Sequence, residues 1–172
     1  MWAESPVTLR NCEFRCNKGF DGNNGCGLIY LYYGSGGSAF TNCLFVGNNG
    51  LKSQGAYKNH PNVARGCLVV LQNPGDRTEV VNCTFAYNLI AGLVDGVSGK
   101  TGAAGINVVK GDTVVKNCIF YGNAVHTPFP ETQPIDMTCH RASPEATLTV
   151  SYTLAHDLYP GEGNMTGDPR FV

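Results

Sequence analysis

The chain has 172 residues, a length that fits one domain with its own core. Its formal net charge is −1 and only 15% of its residues are charged, so its electrostatics match neither nucleic acid nor an anionic membrane surface. The 22 glycines favour turns over helices, and no apolar run approaches the roughly 20 residues needed to span a bilayer.

In chain order, the opening "MWAESPVTLR" lacks the apolar centre of a secretory signal. That leaves either a cytosolic protein or a piece of a longer chain whose signal lies elsewhere. "NCEFRCN" follows at 11–17. "DGNNG" at 21–25 spaces Asp21 and Asn23 like oxygen ligands of a calcium loop, but Tyr32 stands where the bidentate acid belongs, so an Asn/Gly turn is the better reading. "CGLIYLYY" from Cys26 is a small-residue pair followed by alternating apolar residues, and "NCLFVGN" comes next at 42–48. The same order returns as "GCLVVLQ" from Gly66 with "NCTFAYN" at 82–88, and as "AGINVVK" from Ala104 with "NCIFYGN" at 117–123. A weaker "PIDMTC" from Pro134 precedes a degenerate fifth copy, "LTVSYTLAHD", near Leu148.

Asn11, Asn42, Asn82 and Asn117 are 31, 40 and 35 residues apart. The runs are short, rich in Val, Ile, Tyr and Phe, and broken by Gly, Asn and Pro, which predicts strands. A unit of about 35 residues with two or three short strands cannot bury its apolar side alone. Stacking the units does bury it, as an all-β solenoid of about five coils. An asparagine at each bend tolerates unusual backbone angles, and stacked bends would let Asn11, Asn42, Asn82 and Asn117 bond to one another. Beside that ladder, Cys12, Cys43, Cys83 and Cys118 would form a column of buried thiols, and Phe14, Phe45, Phe85 and Phe120 a column of rings. Directly stacked strands are poor geometry for disulfides within the thiol column. Cys16, Cys26, Cys67 and Cys139 fall outside it, and a Cys16–Cys26 bridge stays open. No CxxC pair occurs, and His60, His126, His140 and His156 fall in loops or near bends, so neither metal nor cofactor is expected. Asn164-Met165-Thr166 fits a glycosylation sequon, relevant only in a eukaryotic secretory pathway.

"FRCN", "FVGN", "FAYN" and "FYGN" resemble the FxxN signature of right-handed parallel β-helix repeats in bacterial surface proteins, such as the polymorphic outer-membrane proteins of chlamydiae. "CGLI", "RGCL" and "AAGI" stand as degenerate versions of those proteins' GGA[ILV] signature. "SYTLAHDLYPGEGNMTGDPRFV" is similar to the closing segment of related β-helix proteins. The resemblance implies a right-handed parallel β-helix over residues 1–172, one domain of a longer protein. It also implies an extracellular or bacterial-surface location and a non-catalytic role as adhesin or rigid stalk.

Many parallel β-helices are polysaccharide lyases or glycoside hydrolases, and that is the alternative. Such chemistry needs two or more acids converging on one sheet. The outward positions after the small-residue clusters are Tyr30, Val69, Asn107 and Asp136, then Tyr32, Leu71, Val109 and Thr138, with one carboxylate among them. The phrase strand offers Glu13, Leu44, Thr84 and Ile119, again with a single acid. Tyr30, Tyr32, Val69, Leu71, Asn107 and Asp136 therefore read as a binding face for a polysaccharide or a host or cell-surface protein. A loop from 49–65 or 89–103 folding back would cover it.

Overall fold

The computed structural model describes residues 1–18, 25–50, 64–91, 103–126, 139–141, 144–156 and 158–171. Of these, 25–27, 64–65, 90–91, 125–126 and 139–141 are described by their backbone alone. Among the described residues the protein is all-β, with no helix.

The first repeat supplies β1 (Trp2–Ala3), β2 (Thr8–Arg10) and β3 (Glu13–Arg15). The second supplies β4 (Gly25–Leu31), β5 (Ala39–Thr41), β6 (Leu44–Val46) and β7 (Asn49–Gly50). The third supplies β8 (Ala64–Leu71), β9 (Arg77–Val81), β10 (Thr84–Ala86) and β11 (Leu89–Ala91). In the fourth, one long strand, β12 (Ile106–Lys116), does the work of two, followed by β13 (Ile119–Tyr121) and β14 (Ala124–His126). The last supplies β15 (Cys139–Arg141), β16 (Ala146–Ser151), β17 (Leu154–Ala155) and β18 (Met165–Thr166).

From β1 to β17 each strand pairs in parallel with its counterpart in the neighbouring repeat, and β18 extends the stack by pairing with β17. Phe14 stands opposite Phe45, Phe45 opposite Phe85, and Phe85 opposite Phe120. Three parallel sheets result, and the largest curls because β12 joins two rows of strands. Its register shifts between Val108 and Lys110, and Gly111 beyond adopts φ +95°. There the strand turns from pairing with β8 to pairing with β9.

The repeated phrase is one bend, one strand and a second bend. Asn11, Asn42, Asn82 and Asn117 all adopt φ of 53–54°, the left-handed region that asparagine tolerates better than most residues. Alternation then turns the cysteine and phenylalanine inward. Phe45, Phe85 and Phe120 are fully buried, and the four rings from Phe14 to Phe120 stack with centroids 4.5–4.9 Å apart. Burial of each ring stabilises by about 2–3 kcal/mol, and each stacked pair adds about 0.5–1.5 kcal/mol.

The thiol column does more than fill space. The Cys43 N–H donates to Cys83 Sγ at 3.4 Å, the Cys83 N–H to Cys118 Sγ at 3.4 Å, and the Cys118 N–H to Thr153 Oγ1 at 3.3 Å. The Thr153 N–H in turn donates to Asn164 Oδ1 at 3.0 Å, so the closing segment carries the same column one step further. The Cys83 and Cys118 sulfurs thereby each satisfy a buried backbone donor that the bend has removed from the strand ladder.

The buried amide ladder is built from the other asparagine of the phrase. Asn17 Nδ2 donates to Asn48 Oδ1, Asn48 Nδ2 to Asn88 Oδ1, and Asn88 Nδ2 to Asn123 Oδ1, each at 2.8 Å. The same oxygens accept the backbone N–H of Asn17, Asn48 and Asn88 at 3.1 Å. Asn11, Asn42, Asn82 and Asn117 sit on the exposed side of the first bend, where one amide bond joins Asn42 to Asn11 at 3.2 Å. A left-handed residue interrupts the in–out alternation, so the asparagine before the strand points out and the one after the second bend points in. The described cysteines Cys12, Cys16, Cys43, Cys67, Cys83 and Cys118 are all free thiols, so the bridge to Cys26 left open by the sequence is not formed.

Candidate functional site

The face expected to bind is largely a second small core. Tyr30 is 4% exposed and Val69 is 0%, and Tyr32, Leu71 and Val109 pack half-buried around them. Asn107 is buried as well. Three of the six expected contact residues are therefore out of reach of a ligand. Asp136 lies outside the described residues, as do most of residues 49–65 and 89–103.

What remains open is the rim. Trp2 lies flat on Tyr30, with ring centroids 4.7 Å apart and planes 2° from parallel, and is still 47% exposed. Tyr32 meets Trp2 at 4.9 Å and Tyr33 edge-on at 4.6 Å. Strand pairing puts Trp2 there, because Trp2 is in register with Tyr30. Glu4 Oε1 accepts the Trp2 indole N–H at 3.1 Å, which fixes the plane of the ring. Lys110 Nζ stands 5.9 Å from the Tyr33 ring centre and is paired with Glu145 at 2.7 Å. Burial, followed by the neighbouring Tyr32 and Tyr33, pushes the Tyr30 phenol up to about 12, so it is a neutral hydroxyl at physiological pH. The site offers an exposed indole face, two further aromatic rings, and a carboxylate and an ammonium at its border.

The chain matches no family model, no curated protein and no solved structure.

The other sequence candidates fall elsewhere. Glu13 pairs with Arg15 at 2.7 Å on the outer side of β3, and this hydrogen bond, with the guanidinium charge, lowers the Glu13 carboxyl below its usual range. Asp21 and Asn23 of the "DGNNG" stretch lie outside the described residues. No group of three or more potential metal ligands gathers among the described residues.

Sequence reasoning missed a set of exposed aromatics at the bends. Tyr87 and Tyr152 both adopt left-handed backbone, at φ 54° and 50°. Each ring packs on a glycine at the bend stacked next to it, Tyr87 on Gly122 and Tyr152 on Gly163. The signal was present in the sixth letter of the phrase, which reads Cys16, Gly47, Tyr87, Gly122. A large side chain alternates with a residue small enough to lie under it.

Proposed function

We propose that this chain is a right-handed parallel β-helix of about five coils, serving as a non-catalytic adhesin or rigid stalk in a bacterial surface or secreted protein. In-register parallel pairing between every pair of neighbouring repeats supports the β-helix, as do the continuous columns of phenylalanine, cysteine and asparagine. The adhesive part rests on one observation, the half-exposed Trp2 ring held flat on Tyr30 and bordered by Glu4. Tryptophan and tyrosine offer a flat apolar body with a polar tip, which suits stacking against a sugar ring. A polysaccharide is the proposed ligand, with a host or cell-surface protein as the second class.

Trp2 is the single tryptophan, so its emission reports on this surface alone. Titration with a polysaccharide panel, with and without calcium, is expected to give a saturable change in emission that Tyr33→Ala weakens. The same mixtures should contain no new reducing or unsaturated ends. Reproducible cleavage that disappears in Asp136→Asn would replace this reading with a pectate-lyase-like enzyme.

A further inference from the structure

A separate aromatic ridge lies beyond the outer side of β10 and β13. Tyr87 meets Tyr121 at 85° with centroids 5.7 Å apart, and Tyr121 meets Phe171 at 80° and 6.0 Å. Tyr87 is 54% exposed and Phe171 46% exposed, so the two outer rings stand in solvent. Tyr87 holds its place against local preference. A bulky residue at φ 54° is an outlier, and the equivalent bends on either side carry Gly47 and Gly122. An observed outlier of this kind points towards function. The ring is also preorganised: a Cβ on Gly122 would come within 2.7 Å of Tyr87 Cδ1, so that glycine is the seat on which the ring rests. The charge of the nearby Asp168 carboxylate, followed by burial, raises the Tyr121 phenol, so a carboxylate stands at the border of the ridge.

We propose that the Tyr87–Tyr121–Phe171 ridge binds an extended polysaccharide, stacking pyranose faces on Tyr87 and Phe171 while Asp168 accepts sugar hydroxyls. Size decides between classes of partner. An aromatic side chain presents at most about 150–250 Å², so two half-exposed rings and one partly buried ring offer roughly 250–300 Å². A stable protein partner needs about 800 Å² from each side. A sugar chain needs only ring-by-ring contact, and the two exposed rings, separated by Tyr121, favour a chain over a single sugar.

The ligand class rests on the adhesive reading above, but the site shares no residue with the Trp2 surface. The test is electrophoresis of the protein through gels cast with soluble polysaccharides. At least one polysaccharide should retard the wild-type chain. In a Trp2→Ala chain, which lacks the other surface, that retardation should persist, and adding Tyr87→Gly, which installs the residue found at the neighbouring bends, or Phe171→Ala should weaken it tenfold or more. Phe171→Ala removes an exposed ring, so its melting temperature should stay at the wild-type value. Retardation that survives both ridge variants, retardation abolished by Trp2→Ala alone, or no retardation by any polysaccharide overturns the proposal. If the ridge binds while Trp2 emission stays unchanged, the Trp2 reading fails and this one stands.

Discussion

Replacing Asn88 by alanine removes the centre of the buried amide ladder. Asn88 Oδ1 accepts two hydrogen bonds from Asn48, at 3.1 Å from its backbone N–H and 2.8 Å from its amide. Asn88 Nδ2 donates to the Phe45 carbonyl at 2.9 Å and to Asn123 Oδ1 at 2.8 Å. After substitution, Asn123 Oδ1 keeps the Asn88 backbone N–H. The Asn48 N–H, one N–H of the Asn48 amide (the other keeps the Phe14 carbonyl) and the Phe45 carbonyl lose partners in a fully buried environment. A buried polar group left unpaired costs about 1–3 kcal/mol, so the loss should reach at least about 3 kcal/mol. For a chain of this length that corresponds to a fall of roughly 6–12 °C in melting temperature. The comparison is Asn82→Ala, at the exposed bend, where the cost is that of a left-handed alanine, about 1 kcal/mol. Thermal and urea unfolding of the two variants measure the difference. Equal stabilities would refute the assignment of the ladder to the second asparagine.

Three further outcomes follow from the same structure. Burial raises the Cys43 and Cys67 thiols, and the hydrogen bond with Cys118, then burial, raises that of Cys83, so the folded chain keeps protons that the unfolded chain releases above the ordinary thiol value of 9.0. The melting temperature should therefore hold up to about pH 8 and fall above pH 9, with Tyr30 adding to the loss beyond pH 10; a flat profile to pH 11 would contradict this. Thiol labelling of the folded protein should modify exposed Cys16 and spare Cys43, Cys83 and Cys118, which should react once urea unfolds the chain. Gly122→Ala should destabilise through both its φ of +60° and the approach to Tyr87, and Tyr87→Gly should recover at least about 0.5 kcal/mol of that loss in a double-mutant cycle.

The strands and their stacking were legible because the phrase repeats. Cys12, Phe14 and their counterparts alternate over a stretch short enough for simple in–out counting to hold. Counting fails across a left-handed residue, so alternation alone does not show that Asn88, and not Asn82, points into the buried ladder. The role of sulfur as acceptor for the next N–H was not legible either, because cysteine also suits the site as a plain apolar residue. Thr153 and Asn164, which take the same position with oxygen, carry the hint. The burial of Tyr30, Val69 and Asn107 was not legible for a different reason. Outward direction along a strand does not establish exposure, and Tyr30 and Val69 point away from the main core only to form a second one. Trp2 completes that cluster from the neighbouring strand, a contact that depends on a register no local pattern encodes.

In the repeated phrase, each strand forms its hydrogen bonds with the repeats before and after it. Four of these bonds run from the Leu44 N–H to the Cys12 carbonyl, from Thr84 to Cys43, from Ile119 to Cys83, and from Leu154 to Cys118, at 2.9–3.0 Å. Scalar couplings across hydrogen bonds, measured by NMR on isotopically labelled protein, detect such pairs one at a time. Each of these four amides should show a coupling to the carbonyl named, one repeat earlier in the chain. Couplings from the same amides to carbonyls within their own repeat, as antiparallel hairpins would give, would contradict this pairing.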